Sequence, residues 1–78
     1  MDILNRVVSS VEFIEENLDK PITLAEVSRA VNFSPFHFHR IFRAFVGESV
    51  SDYIKKRRLT KAAEQLINTE DTDFTVKI

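Results

Sequence analysis

The apolar residues Ile3, Val7, Val11, Ile14 and Leu18 recur at spacings of four, four, three and four, with Asn5, Ser9, Glu12, Glu16 and Asn17 between them. That period is the repeat of an amphipathic helix, and it predicts a first helix over about residues 3–18. Asp19-Lys20-Pro21 ends it, because a proline pushes the residue before it out of helical dihedrals. Thr23 followed by Glu26 is a capping box, in which hydroxyl and carboxylate satisfy the backbone donors orphaned at a helix start. It opens a short second helix over about 24–31. Asn32 stands where the chain must turn sharply, and asparagine tolerates a left-handed backbone. Ser34 as N-cap and Pro35 as first helical residue begin a third helix over about 35–46, which Gly47 closes. Ser49 opens a fourth over about 50–67. The second and third helices, joined so closely, make a helix-turn-helix, and the predicted fold class is all-α with four helices.

Each residue of a helix advances by about 100° around its axis. On the third helix this gathers Phe38, Ile41, Phe42 and Phe45 into one apolar stripe, predicted to face the core. Phe36, Arg40 and Arg43 lie opposite, with His37 and His39 on the two flanks. A cationic and aromatic outer face suits a helix entering the major groove of DNA. There a guanidinium can pair with guanine and an apolar side chain can meet the thymine methyl. Phe36 can equally be a lone surface hydrophobe, and His39 can equally be solvated rather than bonded to a base or phosphate. The two histidines do not chelate one ion, since side chains two positions apart diverge by about 200°. No phosphate-binding glycine loop or metal cluster is present in the sequence, so neither a cofactor nor a metal is expected, and the chain does not read as an enzyme.

The fourth helix changes its apolar side partway along. Val50, Tyr53 and Ile54 share one face, whereas Leu59, Ala62, Ala63 and Leu66 lie about half a turn around from them. Its first half is predicted to pack on the preceding helices and its second half on something beyond residue 78. Between the halves stands Lys55-Lys56-Arg57-Arg58. Arg57 lies on the Val50 face, which predicts a structural ion pair or cap. Lys55 and Lys56 are predicted to stand free for phosphate, the alternative being a solvated charge run.

The net charge of −1 conceals an asymmetry. Residues 1–26 carry a net −4, residues 27–61 a net +6 and residues 62–78 a net −3. One basic segment within a near-neutral chain fits an electrostatic footprint for phosphate. With 78 residues and no cysteine, a single small domain held by apolar packing is the reading, without disulfides or thiolate-bound zinc. The sequence shows neither a membrane-length apolar run nor a signal peptide, which points to the cytoplasm.

The segment ITLAEVSRAVNFSPFHFHRIFRAFVGESVSDYIKKRRLTKAAEQL resembles the first helix-turn-helix and linker helix of the AraC/XylS family of transcription regulators. Leu24, Val27, Ala30, Ser34, Phe38, Arg40, Phe42, Gly47, Tyr53, Ile54, Arg57, Arg58 and Leu59 carry the likeness, which covers nearly all of residues 3–67. It implies a homeodomain-like unit whose third helix reads DNA, and a terminal DTDFTVKI that is the approach to a second unit, cut off. It further implies base contacts from Phe36, His39 and Arg40, and phosphate contacts from Arg43 and the neighbourhood of Thr23. His37, Lys55 and Lys56 complete the candidate phosphate set on position and charge. The sequence departs from the family's common pattern at Asn32, Phe36 and His39, where Gly, Trp and Gln are frequent.

The resulting expectation is sequence-specific binding of double-stranded DNA by a bacterial regulator, most often an activator, that recruits or blocks RNA polymerase. With Met1 immediately ahead of the first helix, an effector domain is expected only after the missing half. The alternative is a protein-interaction module that docks through Phe36 and the exposed apolar face of the last helix.

Overall fold

The computed structural model describes residues 2–67, arranged as α1 (Ile3–Glu16), α2 (Leu24–Ala30), α3 (Pro35–Val46) and α4 (Val50–Ile67). The described residues contain no strand, so the class is all-α as predicted. The proposed approach to a second unit lies outside the described residues.

Side chains set most of the boundaries. Asp2 caps α1, its Oδ1 accepting from the Asn5 N–H at 2.8 Å. α1 stops two residues before the predicted Leu18, because Asn17 leaves the helix and its Nδ2 donates to the Phe13 carbonyl at 2.7 Å. Asparagine offers the backbone this local alternative to a further helical turn. Thr23 and Glu26 form both bonds of the capping box, 3.1 Å to the Glu26 N–H and 2.9 Å from the Thr23 N–H. α2 ends at a left-handed Asn32 with φ 63°. The Phe33 N–H donates to the Ser28 carbonyl at 2.9 Å and the Asn32 N–H to the Arg29 carbonyl at 3.1 Å, the paired closure that satisfies a helix's last carbonyls. Ser34 caps α3 through the His37 N–H at 3.2 Å, with Pro35 at its first position. Gly47 closes α3 at φ 92°, and Ser49 caps α4 through the Asp52 N–H at 3.1 Å.

The core joins Ile14 and Leu18 of the α1 end, Val27 and Val31 of the α2 end, Phe38 and Phe42 of α3, and Val50 and Ile54 of α4. Phe38 and Phe42 are wholly buried. Their rings are 5.5 Å apart, and they continue a row from Phe33, 6.4 Å from Phe38, to Tyr53, 5.8 Å from Phe42. Ser10 and Ser28 are buried too, each hydroxyl donating to a carbonyl of its own helix, Val7 at 2.6 Å and Ala25 at 3.0 Å.

Three core assignments need correction. Phe45 is 54% exposed, and Val46 packs against the core in its place. Helices that cross meet along a row of every fourth residue, and each such step winds about 40° around the axis. The buried row therefore runs Phe38, Phe42, Val46 and leaves Phe45 behind. Ile41, one residue before the buried Phe42, is half-buried and borders an outer depression with His37, Arg40 and Phe45, and Ile3 at the first turn of α1 is 46% exposed.

Gly47→Ala should lower unfolding free energy by about 1–2 kcal/mol, the cost of a left-handed backbone for a side-chain-bearing residue. An added Cβ there meets nothing within 4 Å, so the fold should persist and urea denaturation should show a lower midpoint at unchanged slope.

Candidate nucleic-acid interface

The outer face of α3 is built on the inner one. Burying Phe38 and Phe42 sets the rotation of the helix, and that rotation exposes Phe36, His37, Arg40 and Arg43. Phe36 is 72% exposed, and the Arg40 guanidinium carbon lies 5.9 Å from its ring centroid. Among the described residues neither Arg40 nor Arg43 has a carboxylate partner. The face is thus an unneutralised pair of arginines beside an exposed ring.

The flanks differ. His39 is half-buried and borders a shallow cleft with Leu24, Val50, Ile54, Lys55 and Arg58, so it stands with Lys55 at the α2–α4 side. His37 is on the other side, edge-on to Phe33 at 5.1 Å, and borders a depression with Ile3, Arg40, Ile41 and Phe45. Thr23 is exposed at the start of α2, where its hydroxyl accepts from the Glu26 N–H and donates to Glu26 Oε1 at 3.2 Å.

The basic run of α4 divides by direction. Lys55 is exposed, without an ion-pair partner among the described residues. Lys56 corrects the expectation of a free ammonium, since its Nζ is 3.2 Å from Glu48. That pair is an exposed one, and surface pairs hold little energy, roughly 0–1 kcal/mol. Arg57 turns inward, as its position beside Val50 predicts. Its Nε donates to Glu15 Oε2 at 2.8 Å and its second guanidinium nitrogen to Oε1 at 3.0 Å, and the Tyr53 hydroxyl donates to the same carboxylate at 3.2 Å. Arg58 reaches the loop that follows α1. It donates from Nε to the Leu18 carbonyl at 3.0 Å and from its terminal nitrogen to the Lys20 carbonyl at 2.6 Å.

These bonds shift the groups that make them. Hydrogen bonds from Arg57 hold the Glu15 carboxyl below its ordinary 4.5, against the opposing effect of burial. Burial pushes the Tyr53 hydroxyl above its ordinary 10.0, and the charge of Glu15 adds to it. Hydrogen bonding to Glu15 likewise raises Arg57. α4 is fastened to α1 by a fork and a hydroxyl, and to the loop after it by two carbonyl bonds.

The family model for bacterial regulatory helix-turn-helix proteins of the AraC family matches residues 14–55, which run from the end of α1 through α2, the turn and α3 into α4. The chain belongs to the AraC family. It is 42% identical over 64 residues to the HTH-type transcriptional regulator YbfP of Bacillus subtilis, covering 82% of this chain and 22% of YbfP. It is 36% identical over 58 residues to the multiple antibiotic resistance protein MarA of Escherichia coli, covering 74% of this chain and 46% of MarA. Against the regulatory protein SoxS of Salmonella typhimurium it is 32% identical over 66 residues, covering 85% of this chain and 62% of SoxS. The chain therefore spans from about a fifth to about three fifths of these relatives. No solved structure matches it. The function class of this AraC-family domain is DNA-binding transcription regulation, and the family is one of regulators and not of enzymes. None of the helices among the described residues is long and apolar enough to cross a membrane.

Because the unfolded chain protonates Glu15 more readily than the folded one, the stability from the Glu15–Arg57 pair is complete above pH 4.5. It is lost as the pH falls through the depressed folded value. Thermal melts of Glu15→Gln and wild type from neutral to acidic pH should show a gap that closes on acidification; a constant gap would refute this assignment.

Proposed function

We propose that the domain binds double-stranded DNA sequence-specifically, with α3 in the major groove. Phe36, His39 and Arg40 contact base edges, and Thr23, His37, Arg43 and Lys55 contact phosphates on either side, with Lys56 joining them by exchanging its exposed Glu48 partner for a phosphate. The observation that carries this reading is the Arg40 guanidinium. It projects from a helix locked by two buried rings and has no carboxylate among the described residues to neutralise it. A guanidinium so placed offers the two-pronged donor that guanine O6 and N7 accept. Lys55 on the flank beside His39, and His37 on the other, fit the two backbones that border a groove.

Within a longer cytoplasmic regulator, such a domain directs the protein to an operator, where it recruits or blocks RNA polymerase. The domain itself performs no catalysis. The exposure of Leu59 at 73% and Ile67 at 59% favours a second role for α4, as the docking face for a further protein element. Ionic strength separates the two activities. Phosphate binding weakens steeply as salt rises, with log K falling linearly against log salt, whereas apolar docking does not.

Arg40→Ala should cost about 1–3 kcal/mol of affinity for a duplex selected by the wild type, and leave nonspecific binding in place. Fluorescence anisotropy on selected and scrambled duplexes checks this, and equal affinity of wild type and mutant for the selected duplex would sink the proposal.

A further inference from the structure

Phe36 and Arg40 stand one helical turn apart on the outer face of α3, and the guanidinium carbon lies 5.9 Å from the ring centroid. A guanidinium within about 6 Å of an aromatic face is attracted to the ring. The ring therefore narrows the directions the arginine fork can take, while 72% of Phe36 remains in contact with solvent. These two groups form one two-part surface: a flat apolar plate with a planar double donor beside it.

The major groove contains a matching two-part surface. Guanine is the base whose edge offers two acceptors, O6 and N7, to a double donor, and the apolar group on a natural base edge is the C5 methyl of thymine. Neighbouring base pairs are about 3.4 Å apart along the axis and are also turned past one another, so edge groups on adjacent pairs lie farther apart than the rise, and a plate and a fork 5.9 Å apart fit adjacent pairs rather than a single one. A cytosine presents only a C5 hydrogen at the equivalent place, but 5-methylcytosine presents the same methyl as thymine.

We propose that Phe36 and Arg40 read, as one unit, a step in which a 5-methylpyrimidine adjoins a guanine. The methyl packs on the Phe36 ring and the guanine accepts both bonds from Arg40. The unit thus distinguishes thymine from uracil and 5-methylcytosine from cytosine, and it makes binding sensitive to cytosine methylation wherever the step is CG. This rests on the major-groove reading above. Phe36 is here a specificity residue with a contact of its own as well as a positioning residue for Arg40.

The test selects duplexes from a random library with the full chain. The preferred site is then resynthesised with thymine or uracil beside the guanine, and in a second pair with cytosine or 5-methylcytosine there. Replacing thymine by uracil should weaken wild-type binding by about fourfold, the worth of one buried methyl group. Methylating the cytosine should strengthen it by about the same factor. Both differences should vanish in Phe36→Ala, whose melting temperature should stay near wild type because the ring is exposed. If selection fixes a guanine that Arg40→Ala no longer prefers, yet the methyl makes no difference, this inference is overturned and the groove reading stands. If the selected duplexes show no preference, or one that Arg40→Ala leaves intact, the groove reading fails and this inference with it.

Discussion

The burial of two rings, Phe38 and Phe42, is the constraint on which the rest of this domain depends. Replacing a buried phenylalanine by alanine costs about 3–5 kcal/mol, and small domains have only about 5–15 kcal/mol in total. These rings therefore decide more than stability. They lie in a row with Phe33 at the α2–α3 turn and Tyr53 on α4, so a single line of aromatic contacts sets the position of α3 against both neighbours. Because α3 cannot rotate without expelling them, the direction of Arg40 and Arg43 follows from residues that never meet a ligand.

The same row passes into an electrostatic tie. Tyr53 touches Phe42 with its ring and Glu15 with its hydroxyl, and Glu15 holds Arg57. Four consecutive cations on α4 thus have different tasks. Arg57 and Arg58 fasten the helix to α1 and to the loop after it, while Lys55 and Lys56 stay at the surface. Net charge per segment does not reveal this division; the face of the helix on which each residue falls does.

Helix starts were almost fully legible, because each depends on residues adjacent in sequence: Thr23 with Glu26, Ser34 with Pro35, and Ser49. The left-handed Asn32 and Gly47 were legible for the same reason. What stayed hidden depends on three-dimensional crossing. A helical projection treats the core as parallel to the axis, so it put Phe45 inside, where the winding contact row in fact selects Val46. The end of α1 was misread because a side-chain bond from Asn17 competes with the next turn. At the candidate interface, the outward set Phe36, Arg40 and Arg43 could be read from periodicity alone. The Lys56–Glu48 pair and the Arg58 bonds to the loop carbonyls join residues 8 to 40 positions apart, and no local pattern encodes them.

One consequence follows from the way α3 separates its duties. The side chains that keep the helix in place and those that face outward share no member: Phe38, Phe42 and Val46 serve the interior, and Phe36, Arg40 and Arg43 the exterior. Mutational drift at the outer positions meets little thermodynamic resistance, since surface substitutions away from special features usually change stability by about 0.5 kcal/mol or less. A scaffold partitioned in this manner can exchange one target for another through single codon changes, with every intermediate still folded.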